Sequence, residues 1–327
     1  MTTIVHQKDG GPPLTDKVRS TNVMLGIGLK VASVCVFVCM SSLLKASDGI
    51  PAGQLVFFRS FFAIFPVVVF IAWQGQLNVA FKTNEPFSHF WRGFVGVSAM
   101  SASFYGLTKL PLPEAIALSY ATPLLTVLCS AVFLRETVRL YRWSAVFVGL
   151  IGVLIILWPR MTFFTGQSEF GGEEAIGALA TLCGAGLAAI AMLLVRRLVQ
   201  TERPPTIVVS FSIASGGIAR VSRPFGWVWP TPMQATFLVM AGIAGGVAQI
   251  LLTESYRHAD MSTIAPFEYT SMLLGLVIGY MLFGDIPSSE MMTGAVIVIS
   301  AGIFIIYRER QLGLARARAR KASTPQG

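Results

Sequence analysis

Three ionisable side chains, Lys30, Arg59 and Glu268, stand inside stretches otherwise suited to an apolar medium. Glu268 lies near the start of "APFEYTSMLLGLVIGYMLFGD" (265–285), Arg59 within "FFRSFFA", and Lys30 about nine residues into the first apolar run. In hydrocarbon an unpaired charge costs several kcal/mol, so each must meet protein, water or a ligand. Lys30 has a long stem and can either snorkel to the headgroups or line a cavity. Phe267, Tyr269, Tyr120 and Tyr105 could present flat faces and hydroxyls to a ligand, although such rings also serve as ordinary packing. Glu254 and His258 are one helical turn apart, the spacing of a proton relay, or of a solvated pair at a helix end. The three histidines are scattered at His6, His89 and His258, and no paired carboxylates occur at helical spacing inside. Cys35 and Cys39 lack a neighbouring His or carboxylate and read as small core residues. No metal, no cofactor and no enzyme chemistry is expected.

The elements that must hold these residues are membrane helices. Of the 327 residues, 54% are hydrophobic and 13% charged, with mean hydropathy +0.67, where soluble domains carry roughly a quarter charged residues. Ten apolar windows can each cross about 30 Å of hydrocarbon: 22–45, 51–73, 88–109, 112–134, 140–158, 173–199, 204–221, 233–253, 262–283 and 288–307. The polar residues 1–21 show no small-residue cleavage site, so no cleaved signal peptide is expected. With the N-terminus inside, 18 basic residues fall on the cytoplasmic side, Arg92 among them, against 5 outside. The positive-inside rule therefore predicts both termini in the cytoplasm. It also explains the net charge of +9, and "RERQLGLARARARK" reads as a tail facing lipid headgroups rather than nucleic acid.

The chain repeats itself. A shift of 149 residues lays "ALSYATPLLTVLCSAVFLRE" (117–136) on "PFEYTSMLLGLVIGYMLFGD" (266–285), with Tyr120 on Tyr269 and Glu136 on Asp285. Five spans per copy is odd, so the second copy enters the membrane inverted. The connector charges agree: "RETVRLYR" is rich in arginine and "GDIPSSE" has none. Inverted repeats are the architecture of secondary transporters, with the substrate site between the halves. Arg59 falls on Val208 and Glu268 on Ser119, so neither charge is repeated. A scaffold role would tend to recur; a single substrate needs one asymmetric set. At 1.5 Å per residue Arg59 lies about 12 Å below the outer face and Glu268 about 9 Å above the inner one. Arg59 and Glu268 either pair with each other or line a cavity. Glu136 and Asp285 recur at span ends and read as caps or gates. Pro123 is expected to kink the fourth span, while "GALATLCGAGLAAIA" and "AGIAGGVAQ" permit close helix contact.

The stretches "LPLPEAIALSYATPLLTVLCSAVFLRETVRLYRWSAVFVGLIGVLII" and "STIAPFEYTSMLLGLVIGYMLFGDIPSSEMMTGAVIVISAGIFII", with "FFRSFFA", resemble the drug/metabolite transporter superfamily, EamA type. The resemblance covers about 22–307: one five-helix repeat over 22–160, an inverted one over 173–307, and a basic tail over 308–327. It implies an all-α carrier of the bacterial inner membrane, monomeric or a homodimer, moving a small metabolite without ATP. No G-x-x-x-x-G-K-[ST] loop is present. The first five spans are also similar to the superfamily's bacterial riboflavin importers. That implies riboflavin uptake; export or exchange of amino acids or nucleoside-like metabolites is the alternative. Tyr120 and Tyr269, as symmetric equivalents, could sandwich an isoalloxazine ring from both halves or simply pack in the bundle.

Overall fold

A computed structural model describes residues 23–75, 77, 83, 85–133, 140–160, 172–198, 204–220, 226–259 and 264–322. Its helices are α1 (Val23–Ala46), α2 (Ala52–Trp73), α3 (Pro86–Lys109), α4 (Leu112–Phe133), α5 (Leu140–Leu157), α6 (Glu173–Leu198), α7 (Pro204–Arg220), α8 (Pro232–His258), α9 (Ala265–Phe283) and α10 (Ser289–Ala322). Eight contain stretches long and apolar enough to cross a membrane. The other two are α3, diluted by Ser88, Ser98, Ser101 and Ser103, and α7, which is short. Helix α10 runs to Ala322, so the segment expected to be a separate tail from 308 continues the last helix. Phe65, Trp73, Phe87, Phe147, Leu273 and Trp229 stay well exposed, the outward-facing belt a bilayer covers.

The two halves interlock as an inverted repeat. The most extensive contacts join α3 to α6 and α1 to α8, which exchange under a five-helix shift; α5 with α10 and α2 with α7 each exchange with themselves. These crossings are close because glycines meet backbone. Gly152 on α5 and Gly294 on α10 sit so near that a Cβ on Gly294 would strike the Gly152 carbonyl and the Ile156 side chain. Gly242 and Gly246 on α8 likewise receive Phe62 and Pro66 of α2. Small residues let backbones approach, the main source of helix association where both solvent and side chains are apolar.

One face of the bundle is tied by polar contacts at the helix ends. Asp285 Oδ2 accepts the Leu112 N–H at 2.8 Å and lies 3.9 Å from Lys45 Nζ, which donates to the Leu110 carbonyl. Gly284, at φ +67, supplies the left-handed turn that ends α9 and aims Asp285 there. On the same face Lys109 Nζ meets Glu173 at 2.6 Å, Gln54 exchanges two hydrogen bonds with the Val228 backbone, and Gln234 donates to the Asp48 carbonyl. Asp285 thus caps α4 from another helix, while Glu136 lies outside the described residues. Asp285→Ala strands a largely buried ammonium and the first N–H of α4, so thermal unfolding should show a loss of about 2 kcal/mol. Asp285→Asn, which still accepts, should recover part of it.

Candidate functional site

Two helix breaks create the site. Pro123 has no N–H to return to the Ser119 carbonyl, and α4 is interrupted there: regular helix over Leu112–Ser119 resumes at Ala121. In α9 the corresponding break follows a 3-10 turn, Ala265–Tyr269, that passes into α-helix at Thr270. The residues at the breaks are Tyr120 and Tyr269, the pair related by the 149-residue shift. Broken helices near the interface of inverted repeats are where carriers bind substrate, because unwound backbone leaves polar groups free.

A polar cluster occupies this junction. Lys30 Nζ on α1 donates to Glu268 Oε2 at 3.4 Å. The Lys30 side chain is 4% exposed and that of Glu268 58%, so the pair joins a buried ammonium to an accessible carboxylate. Ser271 Oγ donates to the Glu268 carbonyl at 2.7 Å, which leaves the Tyr120 hydroxyl as donor in its hydrogen bond to Ser271 Oγ. The rings of Tyr120 and Tyr269 meet edge to face, centroids 5.1 Å apart and planes at 69°. The Tyr269 hydroxyl fits against Gly302 of α10, where no Cβ has room, and Tyr256 of α8 lies within electrostatic reach of Glu268. Chemically this is an accessible carboxylate with an exchangeable counter-ion and hydroxyls around it. It can trade Lys30 for a cationic or hydrogen-bond-donating group of a ligand.

Several expectations are corrected. Glu268 pairs with Lys30, not Arg59, because the 3-10 turn swings the carboxylate toward α1. Lys30 therefore does not snorkel. The two tyrosines pack on each other instead of leaving a slot, so a ring could lie between them only by parting them. Arg59 sits apart, against Gly245 of α8, its Nε buried without a hydrogen-bond partner. Tyr105 lies one turn from Lys109 on α3, near the tied face. Phe267 is partly buried in the 3-10 turn, its carbonyl bonded by Thr270. Glu254 accepts from Arg257 at 2.7 Å and from Gln74 at 3.4 Å rather than bonding His258. Arg92, counted with the cytoplasmic charges, is inside α3 with Nε and Nη1 buried. Its position four residues into the 88–109 window was the available signal. Among the described residues no group of His, Cys, Asp and Glu could hold a metal.

Comparison with known proteins gives the family and the fold. The chain matches the EamA-like transporter family twice, over residues 21–158 and 175–308. It is 28% identical to an S-adenosylmethionine uptake transporter of Rickettsia bellii, over 79% of this chain and 84% of that protein. It is 28% identical to a riboflavin transporter of Rhizobium johnstonii, over 88% and 90%, and 26% identical to the pseudopaline exporter CntI of Pseudomonas aeruginosa, over 85% and 94%. A solved crystal structure superposes with a TM-score of 0.63 over 90% of this chain and 98% of its own, at 20% identity, a likeness of fold.

Proposed function

Because the chain belongs to the EamA-like transporter family, we propose that it is a secondary carrier of the bacterial inner membrane, taking up a small metabolite by alternating access with both termini cytoplasmic. The observation that carries the reading is the Lys30–Glu268 pair, lodged beside the repeat-related breaks at Tyr120 and Tyr269. A buried ammonium held by an accessible carboxylate is a poor structural staple. It suits a site whose ion pair opens and re-forms as a ligand or proton arrives.

Riboflavin is the first substrate to test, supported by the likeness to the Rhizobium johnstonii riboflavin transporter. A second reading, S-adenosylmethionine, is favoured by the exposed Glu268 carboxylate, a counter-charge that a sulfonium or ammonium group can use and a neutral flavin cannot. Uptake of each labelled compound, into cells with and without the gene, decides between them. Saturable, gene-dependent uptake competed by the unlabelled compound is expected for one. Uptake of neither, with the protein verified in the membrane, would sink the import reading and direct the search to efflux from loaded vesicles.

A further inference from the structure

Away from Glu268, two arginines face the same small space. A cavity of about 60 Å³ between α2, α3, α7 and α8 is lined by Arg59, Arg92, Phe211, Ser212 and Gln249. The Arg59 Nε and the Arg92 Nε and Nη1 are buried without hydrogen-bond partners, and no carboxylate pairs with either among the described residues. Arg92 instead lies over the Phe211 ring, its guanidinium carbon 3.6 Å from the ring centroid. Arg92 and Phe211 also border a larger, mostly apolar open groove of about 330 Å³ that reaches Met100, Ser103 and the exposed Met192. Under the repeat, Arg59 falls on Val208 and Arg92 on Ala241, so the pair occurs in one half only.

Two like charges in a confined space repel, and the phenyl ring, Ser212 and Gln249 beside them carry no opposite charge to cancel theirs. A guanidinium presents a planar fork of N–H donors whose natural complements are carboxylate and phosphate. The cavity is made by two helices from each repeat, the place where a carrier exposes its ligand alternately to the two sides. We propose that Arg59 and Arg92 together receive the anionic group, carboxylate or phosphate, of the transported metabolite, whose apolar body lies along the neighbouring open groove. Phe211 holds the Arg92 plane ready and Gly245 leaves room for the Arg59 side chain. The inference rests on the carrier reading and narrows its substrate to organic anions and zwitterions, which favours the S-adenosylmethionine reading over neutral riboflavin.

The test is thermal unfolding of the purified full chain in neutral detergent, at constant ionic strength set with chloride. The probes are succinate and two matched pairs: S-adenosylmethionine with its decarboxylated form, and riboflavin 5'-phosphate with riboflavin. At least one anionic probe should raise the melting temperature, and its uncharged-end counterpart should act at least tenfold more weakly. Arg59→Gln should abolish that difference without lowering the melting temperature of the ligand-free protein, since it removes a charge that has no counter-ion among the described residues. Arg92→Gln should abolish it too, with a ligand-free loss limited to its contact with the Phe211 ring. A merely structural role for Arg59 predicts the opposite, a ligand-free loss. No stabilisation by any anionic probe, equal stabilisation by both members of each pair, or an effect that chloride reproduces would overturn the proposal. Repetition in phosphatidylcholine and phosphatidylglycerol nanodiscs separates sources: an anion effect lost only with phosphatidylglycerol would assign the cavity to a lipid headgroup and overturn it too. No transport enters this readout, so failure of the carrier reading would be seen separately, in the uptake assay.

Discussion

Glu268→Gln should destabilise the protein more than Lys30→Met, although both break the same ion pair. The asymmetry follows from burial: the Lys30 side chain is 4% exposed and that of Glu268 58%. Removing the carboxylate leaves an ammonium shut in with no counter-charge, a situation that costs about 3 kcal/mol when one partner of a buried pair is lost. Partial access of solvent to Glu268 lowers this to about 2 kcal/mol. Removing the lysine leaves a carboxylate that solvent reaches, and Met fills much of the vacated stem volume, so the loss should stay below about 1 kcal/mol. The double variant Lys30→Met/Glu268→Gln should melt above Glu268→Gln alone. Uptake should collapse in all three if the pair opens during the cycle. Equal melting temperatures for the two single variants would show that the ammonium is better solvated than its burial indicates.

The second large effect is expected at the crossing of α5 and α10. In Gly294→Leu the new side chain meets the Gly152 carbonyl and Ile156, groups held by their own helices rather than flexible side-chain ends. Overpacking of a filled core costs about 1–3 kcal/mol, and a backbone clash stands at the upper end. The crossing joins the last helix of each half and exchanges with itself under the repeat, so helices forced apart there would separate the halves. Size-exclusion and melting measurements should show Gly294→Leu largely misassembled and Gly294→Ala intermediate. A Gly294→Leu protein that is monodisperse, melts normally and takes up substrate would show that the crossing yields more easily than its spacing implies.

Much of this was legible in the sequence because hydropathy and the 149-residue shift act on long segments. Ten windows, the inverted order and the alignment of Tyr120 with Tyr269 need no side-chain detail. The partner of Glu268 was not legible. Counting 1.5 Å per residue treats each span as a straight rod, whereas α9 begins with a 3-10 turn that redirects the carboxylate to Lys30. Lys30 was ambiguous because its stem permits two locations, and packing against α8 and α9 decided between them. Arg92 was hidden for a related reason: a charge near the start of a span looks like loop charge until the neighbouring helices, here α7 with Phe211, show what encloses it. The edge-to-face contact of the tyrosines was not legible, because symmetric sequence positions place two rings together without saying how they meet or whether anything lies between them.

The tied face has a consequence for populations. Under the proposed alternating access that face must part, which would separate Asp285 from Leu112 and Lys45, Lys109 from Glu173, Gln54 from Val228, and Gln234 from Asp48. At about 1 kcal/mol for each of these five pairs except the exposed Lys109–Glu173 pair, which adds little, the parted form lies about 4 kcal/mol higher, or about one molecule in a thousand at rest. A ligand or proton that binds the parted form preferentially must supply that difference, and its apparent affinity is reduced by the same factor. Much of the carrier's turnover would then be set by hydrogen bonds at the helix ends, far from any atom that touches the substrate.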